Sequence, residues 1–285
     1  MATVVAIVGA SKGFGFSLMK ACLESFLLTG PRDIRCMFLL ITSNRERCIE
    51  AWRQAYFESF GKPYQHEKNE FMTVIVEEHD LRDTSCLARM SDIINLVFRQ
   101  FHYAVNRYFI FFNAGSVTPV GPLLKPMKGF NNMLVDHVNL NFVAFVSLLR
   151  SLLHVILKRE ISHPNVSIMI VNVSSLAAIR NLSGMCVYGA IKAARDAIIQ
   201  GVADELAVEY PQLDAKLLSY APGPMETDMT TRDLISEDAP DNFMKNNKTN
   251  FINGTESARK CLSLLTNLST KWKSGAHIDF FDDVE

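Results

Sequence analysis

The sequence Gly9-Ala-Ser-Lys-Gly-Phe-Gly15 follows an apolar run, Val4 to Val8, that is typical of a buried strand. Its three glycines carry no Cβ, so backbone N–H groups and the positive end of a following helix can approach a pyrophosphate there. The spacing Gly-x-x-x-Gly-x-Gly is a variant of the Gly-x-Gly-x-x-Gly fingerprint of dinucleotide-binding folds. The stretch therefore predicts a strand, a dinucleotide-binding turn and a helix, with a turn used only for packing as the alternative.

Beyond this turn, short β-branched or apolar runs alternate with longer segments whose apolar residues recur at three- and four-residue spacing. The predicted strands are Val4 to Val8, Met37 to Thr42, Met72 to Glu77, Tyr108 to Phe112, Val166 to Val173, Ala215 to Tyr220 and His277 to Phe280. The predicted helices include Phe16 to Leu28, Cys86 to Phe101, Met133 to Leu157 and Ala190 to Tyr210. This alternation predicts an α/β fold: a single Rossmann-type domain over residues 1–285, with a doubly wound parallel sheet of about seven strands and helices on both faces.

The least regular part of the chain is residues 222–253, which contain three prolines, many polar residues and little periodicity. A long irregular segment inside a compact domain is usually functional or disordered. We therefore expect residues 222–253 to form a lid over cofactor and substrate.

The composition narrows the class of partner. Lys and Arg number 29 against 30 Asp and Glu, so a net charge of −1 supplies no field that would attract nucleic acid or an anionic membrane. The six cysteines are scattered without a Cys-x-x-Cys pair, which fits reduced thiols and neither a disulfide framework nor a metal site. The first apolar run is only five residues long and lacks a basic flank, so it does not read as a signal peptide. We expect a cytoplasmic protein that binds small molecules.

The segment Tyr188-Gly-Ala-Ile-Lys192 carries the candidate proton donor. Its Tyr and Lys stand four residues apart and so share one helical face. A free tyrosine has a pKa of about 10, so we expect the Lys192 ammonium to lower it by stabilising the phenolate. Ser175, thirteen residues earlier at the end of a predicted strand, can hydrogen-bond the substrate oxygen beside Tyr188. The alternative is an exposed Tyr and Lys on a surface helix.

The end of the second predicted strand bears on which nicotinamide nucleotide is bound. Thr42-Ser-Asn-Arg45 has no acidic residue to accept the ribose 2′-hydroxyl, and Lys12 lies in the glycine turn. Hydroxyl and cationic groups suit the 2′-phosphate of NADP instead. The sequence therefore favours NADPH as the cofactor.

Taken together, these motifs resemble those of the short-chain dehydrogenase/reductase family. The resemblance rests on Gly9 to Gly15, Phe112-Asn-Ala-Gly115, Ser175, Tyr188 and Lys192. It implies that Ser175, Tyr188, Lys192 and Asn141 are catalytic, Asn141 by holding a water in the proton relay, with Asn139 close enough to leave that last role open. It also implies that Asp80 and Leu81 contact the adenine and that Asn113 to Gly115 border the adenosine ribose. The cofactor contacts that it implies are Gly9, Ser11, Lys12, Gly13, Phe14, Gly15, Ser43, Asn44, Arg45, Asp80, Leu81, Asn113, Ala114, Gly115, Lys192, Met225, Thr227 and Met229. The chain departs from the family pattern at Val8, where threonine is usual, and at Phe112, where asparagine is usual.

A narrower resemblance, to members of the family that act on pterins, rests on Leu218-Ser-Tyr-Ala-Pro-Gly-Pro224 and Ser274-Gly-Ala-His-Ile-Asp-Phe280. It implies NADPH-dependent reduction of the side-chain carbonyls of 6-substituted pterins in tetrahydrobiopterin biosynthesis, with residues 274–285 as a substrate-anchoring segment. A carboxylate such as Asp279 can accept two adjacent N–H groups from the pterin ring side by side. The implied substrate contacts are Ser175, Leu176, Tyr188, Gly223 and Asp279. The alternative for Asp279 is a solvated acidic tail.

Two other functions stay open at this point. A broad-specificity NADPH carbonyl or diketone reductase would use the same catalytic set without Asp279, and a non-catalytic NADP-binding regulatory protein would need none of it. The long predicted helices Met133 to Leu157 and Ala190 to Tyr210 are apolar over more than one face. With the family resemblance, they predict a homodimer.

Overall fold

A computed structural model describes residues 2–28, 35–65, 71–101, 104–160, 166–233, 251–267 and 271–284. Seven parallel strands form one open sheet in the order β3-β2-β1-β4-β5-β6-β7. The strands are β1 (Ala2–Val8), β2 (Arg35–Thr42), β3 (Met72–Glu78), β4 (Val105–Phe112), β5 (Ser167–Val173), β6 (Asp214–Ala221) and β7 (His277–Asp279). The prediction of a doubly wound parallel sheet is confirmed, and the strand order reverses between β1 and β4.

Helices cover both faces of the sheet, because successive strand residues point to opposite sides and both sides are apolar. The helices are α1 (Gly13–Leu23), α2 (Arg45–Phe60), α3 (Cys86–Gln100), α4 (Phe130–Val138), α5 (Ala144–Glu160), α6 (Cys186–Glu209) and α7 (Gly254–Thr266). One core layer packs α1, α2 and α7 against residues such as Ile7 and Phe38. The other packs α3, α5 and α6 against residues such as Ala6 and Ile110.

The long helix predicted at Met133 to Leu157 is present but not uniform. A π-helical turn, Asn139–Val143, joins α4 to α5 and shifts the side chains around Asn141 relative to a regular helix. By length and composition alone, the stretch Phe130–Arg159 could span a membrane, but half of its apolar window is buried inside the protein. Leu148 and Leu152 of α5 lie in the core beside the sheet, as expected for a buried helix of an α/β domain.

The carboxyl ends of the parallel strands meet at one edge of the sheet. The turns that leave this edge begin at Gly9 after β1, Ser43 after β2, Asn113 after β4, Ser174 after β5 and Pro222 after β6. Asp279, the last residue of β7, pairs in register with Ala221 at the end of β6. Ligands of open α/β sheets bind at this edge, so the predicted cofactor and catalytic segments lie on the side of the sheet where a site can form.

Candidate active site

The glycine turn forms a cradle that side chains would fill. Gly9 has a φ of +87°, and a Cβ there would lie 2.7 Å from the backbone N and Cα of Ala114. A Cβ at Gly15 would overlap the carbonyl of Gly9 and stand 2.7 Å from Asn113 Nδ2. Only glycine therefore allows the start of α1 to approach the strand ends this closely.

The turn after β4 is hydrogen-bonded to the turn after β1. The backbone N–H groups of Asn113 and Ala114 donate to the Val8 carbonyl at 3.0 and 2.7 Å. The Asn113 side chain donates to the Gly9 carbonyl at 2.7 Å. These bonds hold Asn113 to Gly115 beside the glycine turn, as the predicted ribose contacts require.

Residues from the predicted lid reach the glycine turn. Lys12 Nζ forms an exposed ion pair with Asp228 at 2.8 Å, and a Cβ at Gly13 would lie 3.5 Å from the methyl group of Thr227. Phe14 is buried and stacks on Tyr220 at 6.1 Å between ring centres, so it fills core space below the turn. Ser11 is half-buried at the top of the turn. Only residues 222–233 and 251–253 of the lid can be placed, since residues 234–250 lie outside the described residues.

At the predicted 2′-phosphate site after β2, two of the three predicted residues already have hydrogen-bond partners within the protein. Ser43 is exposed, and Asn44 caps α2 by accepting from Arg47 N at 2.8 Å. Arg45 donates its guanidinium to the Val76 carbonyl. Its backbone N–H donates to the carboxylate of Glu78 at 3.1 Å, which places an acidic group at this edge from a different strand. The local sequence could not reveal Glu78, because the contact depends on strand pairing.

Asp80 and Leu81, the predicted adenine contacts, follow β3. Asp80 accepts three hydrogen bonds from the guanidinium of Arg82, the shortest at 2.6 Å, and this pairing holds the pKa of Asp80 below its usual value. Leu81 is buried and lines a small cleft with Val8 and Ala114. Leu81 thus borders the glycine turn, while the carboxylate of Asp80 is engaged with its own neighbour.

Ser175, Tyr188 and Lys192 are brought together where β5 ends. Tyr188 and Lys192 are only 6% and 4% exposed, which excludes the surface-helix alternative. The Ser175 hydroxyl hydrogen-bonds Tyr188, and Lys192 Nζ donates to the Val173 carbonyl at 2.6 Å. Gly189 permits this approach, because a Cβ there would lie 2.6 Å from the carbonyl of Ala177 in the short turn that follows Ser175.

Burial and two neighbouring groups shift the pKa of Tyr188. Burial raises the pKa of Tyr188, and the Ser175 hydroxyl and the Arg195 guanidinium lower it. Burial first and Arg195 second lower the pKa of Lys192 well below its ordinary value, while Asp196 raises it. Lys192 Nζ lies 5.5 Å from the centre of the Tyr188 ring, and its expected effect on the tyrosine pKa stays a prediction.

The structure separates the two candidate relay asparagines. Asn141 is fully buried, and its side-chain oxygen accepts from the backbone of Ser116 at 3.1 Å. Its amide nitrogen donates to the backbone carbonyl of His137 at 3.0 Å and lies 3.1 Å from Nδ1 of that ring. The His137 ring in turn lies 6.2 Å from the Tyr188 ring, centre to centre. Asn139 instead donates to the carbonyl of Arg82, away from the tyrosine, so Asn141 fits the predicted role better.

Sequence reasoning missed three groups beside the catalytic set. They are His137 and Arg195, both about 1% exposed, and Asp196, whose carboxylate accepts from Asn172, Ser174 and His277. Helical spacing held the only signal for Arg195, since it lies seven residues after Tyr188 and three after Lys192. Nothing in the linear sequence pairs Asp196 with His277.

The predicted substrate residues border the same edge of the sheet. Asp279 is 9% exposed and its carboxylate accepts from Phe281 N at 3.0 Å, so it does not belong to a solvated tail. Gly223 has a φ of +80° with Ile252 and Phe280 close to it. Leu176 opens the short turn that follows Ser175, and Met229 packs against the small apolar cluster around Tyr188. Met225 packs instead against the core layer that contains α1, α2 and α7.

Comparison of the chain with models of protein families identifies its family. The short chain dehydrogenase family model matches residues 80–238, which include Asn113 to Gly115, Ser175, Tyr188 and Lys192. That is more than half of the chain. The chain is a short-chain dehydrogenase/reductase. Like other members, this short-chain dehydrogenase/reductase is an oxidoreductase that binds a nicotinamide cofactor.

Several sepiapterin reductases are similar to this short-chain dehydrogenase/reductase in sequence. That of Xenopus laevis is 29% identical over 281 residues, covering 97% of this chain and 94% of that protein. That of Xenopus tropicalis is 34% identical over 185 residues, covering 63% and 65%. That of Bos taurus is 39% identical over 126 residues, covering 42% and 43%. The first of these alignments extends over nearly the whole chain, and the other two span less than two thirds of the relative's length.

Solved structures agree on the fold at lower identity. A short chain dehydrogenase from Salmonella enterica serovar Typhi has a TM-score of 0.71 at 17% identity, covering 99% of this chain and 97% of that one. A short-chain dehydrogenase from Sphingobium yanoikuyae in complex with NADPH has a TM-score of 0.63 at 18% identity, covering 93% and 84%. The likeness establishes the architecture and leaves the substrate to other arguments.

Proposed function

We propose that this short-chain dehydrogenase/reductase uses NADPH to reduce the side-chain carbonyl of a 6-substituted pterin, as the name sepiapterin reductase implies for its relatives. The observation that carries the proposal is the buried Asp279. It stands at the end of β7, at the same sheet edge as the turn that carries Ser175. Its Oδ1 accepts from Phe281 N at 3.0 Å, and the adjacent N–H groups of a pterin ring would supply further partners for a buried carboxylate that is costly without them. In this role the enzyme would act in tetrahydrobiopterin biosynthesis.

The cofactor fits the cradle between the strand ends. Gly9, Gly13 and Gly15 would face the pyrophosphate, Lys12 and Ser43 the 2′-phosphate, and Lys192 the nicotinamide ribose. When bound, the nicotinamide supplies a hydride to the substrate carbonyl carbon. NADPH is favoured over NADH because Lys12 is exposed at the rim of the turn and no carboxylate follows β2 directly.

The chain's own residues then handle the oxygen and its proton. Ser175 donates a hydrogen bond to the carbonyl oxygen and holds it beside Tyr188. Tyr188 gives its phenolic proton to the developing alkoxide and is left as a phenolate. The burial of Tyr188 limits access of bulk water, so the immediate proton donor is one positioned group.

Turnover of sepiapterin tests the proposal directly. Purified protein mixed with NADPH and sepiapterin should consume cofactor, followed by its absorbance. Tyr188→Phe should lower kcat by about 100-fold or more, because general-acid catalysis contributes factors of this size. Cofactor consumption by the unaltered protein no faster than by Tyr188→Phe would refute the proposal.

Asp279 distinguishes a pterin reductase from a broad carbonyl reductase. Asp279→Asn should raise the KM for sepiapterin by about tenfold, since it removes charge-assisted hydrogen bonds to the ring. The same variant should reduce a simple diketone, which has no ring N–H groups, at the original rate. Equal losses with both substrates would favour the broad-specificity alternative, and absence of any turnover would favour a non-catalytic NADP-binding protein.

We also propose that the enzyme is a cytoplasmic homodimer that pairs through α5 and α6. Half-buried apolar side chains, among them Val146, Leu157, Ile198 and Val202, extend these helices' apolar character beyond the face that covers the sheet. Light scattering should give twice the mass of the chain. A monomer mass at micromolar concentration would contradict the dimer.

A further inference from the structure

Among the residues that the structure describes, Arg195 is the largest side chain that lies fully inside the protein, at 1% exposure. It is on α6 with Tyr188 and Lys192, at successive spacings of four and three residues, so all three share the helix face toward the sheet. We propose that Arg195 is a positioning residue of the reduction: its guanidinium ties the cofactor turn to the catalytic helix and supplies a fixed positive charge that favours the phenolate of Tyr188. This inference rests on the function proposed above.

The first part of the inference comes from three carbonyl contacts. Arg195 Nη2 donates to the Phe112 carbonyl at 2.8 Å, and Nη1 lies 3.4 Å from the carbonyls of Ala114 and Asn141. Phe112 and Ala114 flank Asn113, the residue that bonds to the glycine turn. The planar fork therefore spans the cofactor turn from beneath and connects it to the helix of the proton donor.

Aromatic packing fixes the guanidinium in this position. Its central carbon lies 4.3 Å from the centre of the Phe145 ring, and that ring meets Phe112 edge to face at 5.2 Å. A cation over an aromatic face is stabilised most where water is excluded. Phe112 stands where the family usually has asparagine, so this chain replaces a polar side chain with an aromatic contact that supports Arg195.

The second part of the inference comes from charge balance. Within the described residues, no carboxylate forms an ion pair with Arg195, and its Nε has no hydrogen-bond partner. A buried cation without a counter-ion is costly, and a nearby anion relieves that cost. Burial lowers the pKa of Arg195, and the negative charges of Tyr188 and Asp196 raise it. Of these two anions, the Tyr188 phenolate is the one that the reaction generates, and Arg195 in turn opposes the rise that burial causes in the pKa of Tyr188.

Burial disfavours the charged forms of the other two basic groups near Tyr188. Burial lowers the pKa of His137, on the neighbouring helix, so its ring stays neutral at neutral pH. The pKa of Lys192 is also lowered by burial and by Arg195, with Asp196 opposing. Ser175 contributes only a hydrogen bond. Burial lowers the pKa of Arg195 to about 10, which leaves it charged throughout the neutral range.

Two substitutions separate the two contributions. Arg195→Met removes both the charge and the fork, whereas Arg195→Lys keeps a cationic side chain, whose charge burial opposes, and loses the paired contacts to carbonyls. Arg99→Met makes the same chemical change at an exposed position of α3 and serves as the control. Each protein is measured for the dissociation constant of NADPH by fluorescence and for the pH dependence of kcat in the reductive direction.

The charge is tested by the alkaline limb of the pH profile. Reduction requires protonated Tyr188, so the rate falls above its pKa. Arg195→Met should move this limb upward by about one pH unit, the smaller end of the effect of a nearby charge. Arg99→Met should leave it in place, and Arg195→Lys should move it by less than Arg195→Met does, because burial neutralises a lysine more readily than an arginine. An unmoved limb in folded Arg195→Met would overturn the electrostatic role, since a merely structural residue would change rate or stability without shifting the limb.

The link to the cofactor turn is tested without turnover. Both Arg195 variants should bind NADPH about tenfold more weakly, as expected for loss of one charge-assisted hydrogen-bond pair. If Arg195→Met does not fold, Arg195→Lys still decides this point, because unchanged NADPH affinity in it would overturn the positioning role. A wild-type protein that reduces no carbonyl would refute the proposed function, while the binding comparison would continue to test Arg195.

Discussion

The glycine turn and the catalytic face of α6 form two halves of one site by opposite means. At Gly9 and Gly15 the site requires residues without a side chain, since a Cβ at either position would collide with backbone. On α6 it depends on large side chains held out of water, with Tyr188 and Lys192 almost fully buried. Binding of a polyanion needs exposed N–H groups, whereas control of a proton needs a dry environment that shifts pKa values. The two regions should therefore respond differently to substitution.

The largest expected effect is at the turn. Gly9→Ala places a Cβ 2.7 Å from Ala114, whereas Gly61→Ala, at a similar φ of +66°, meets nothing within 4 Å. Gly61→Ala should cost about 1 kcal/mol of unfolding free energy from backbone strain alone. Gly9→Ala should cost roughly 3 kcal/mol or more and abolish NADPH binding. Urea unfolding and NADPH fluorescence measure both effects, and equal losses in the two variants would show that close approach does not matter.

A smaller effect is expected at the exposed rim of the turn. Lys12→Ala should weaken NADPH binding by about fivefold, near the upper limit for an exposed ion pair, and should change NADH binding less. Lys62→Ala, an exposed lysine beyond α2, is the control. Asp228→Asn should act in the opposite direction, because it releases Lys12 from its ion pair. Isothermal titration with both nucleotides measures the preference, and equal losses for NADPH and NADH would contradict a 2′-phosphate contact.

The smallest expected effect concerns the dry half of the site. Burial lowers the pKa of His137, so the unfolded chain binds a proton there at higher pH than the folded protein does. Stability is then fully present above the ordinary histidine pKa, about 6.5, and declines as pH falls below it toward the lowered value. His137→Gln should reduce the drop in Tm between pH 7 and pH 5, whatever its effect on Tm at pH 7.

The exposed His154→Gln on α5 is the control for that measurement and should leave the drop unchanged. The same acid sensitivity in His137→Gln as in the unaltered protein would show that His137 is not kept neutral by burial. Burial would then not control protonation at this position of the site.

The strands could be predicted from local sequence because each one is a short apolar run of consecutive residues. The order of elements and the class of fold are confirmed, and most strand ends are placed within a few residues. β1, β2 and β4 begin earlier than predicted, since polar residues such as Arg35 and Arg107 still join the ladder when their neighbours are paired. The π-helical turn at Asn139–Val143 was not predictable, because spacing rules assume a regular helix.

The candidate site was predictable where the chemistry is local. Three glycines, a strand-end serine and a Tyr-Lys pair carry their meaning in their spacing, and the structure gathers them at one edge. The engagement of Arg45 with Val76, the carboxylate of Glu78 beside it and the Asp196–His277 contact escaped prediction. Each joins residues from different elements, so no window of sequence contains it.

By itself, the sequence determined the α/β architecture, the glycine turn after the first strand and the candidate Tyr188–Lys192 pair. Glycine positions and apolar periodicity act over a few residues, so these features can be recognised without knowledge of the fold. Only the tertiary structure decided that Asn141 is buried against His137 while Asn139 bonds to Arg82, that Asp279 is buried, and that the charge of Arg195 acts on Tyr188. Burial and charge proximity depend on which elements pack together, and a proton's affinity for a side chain is set by that packing.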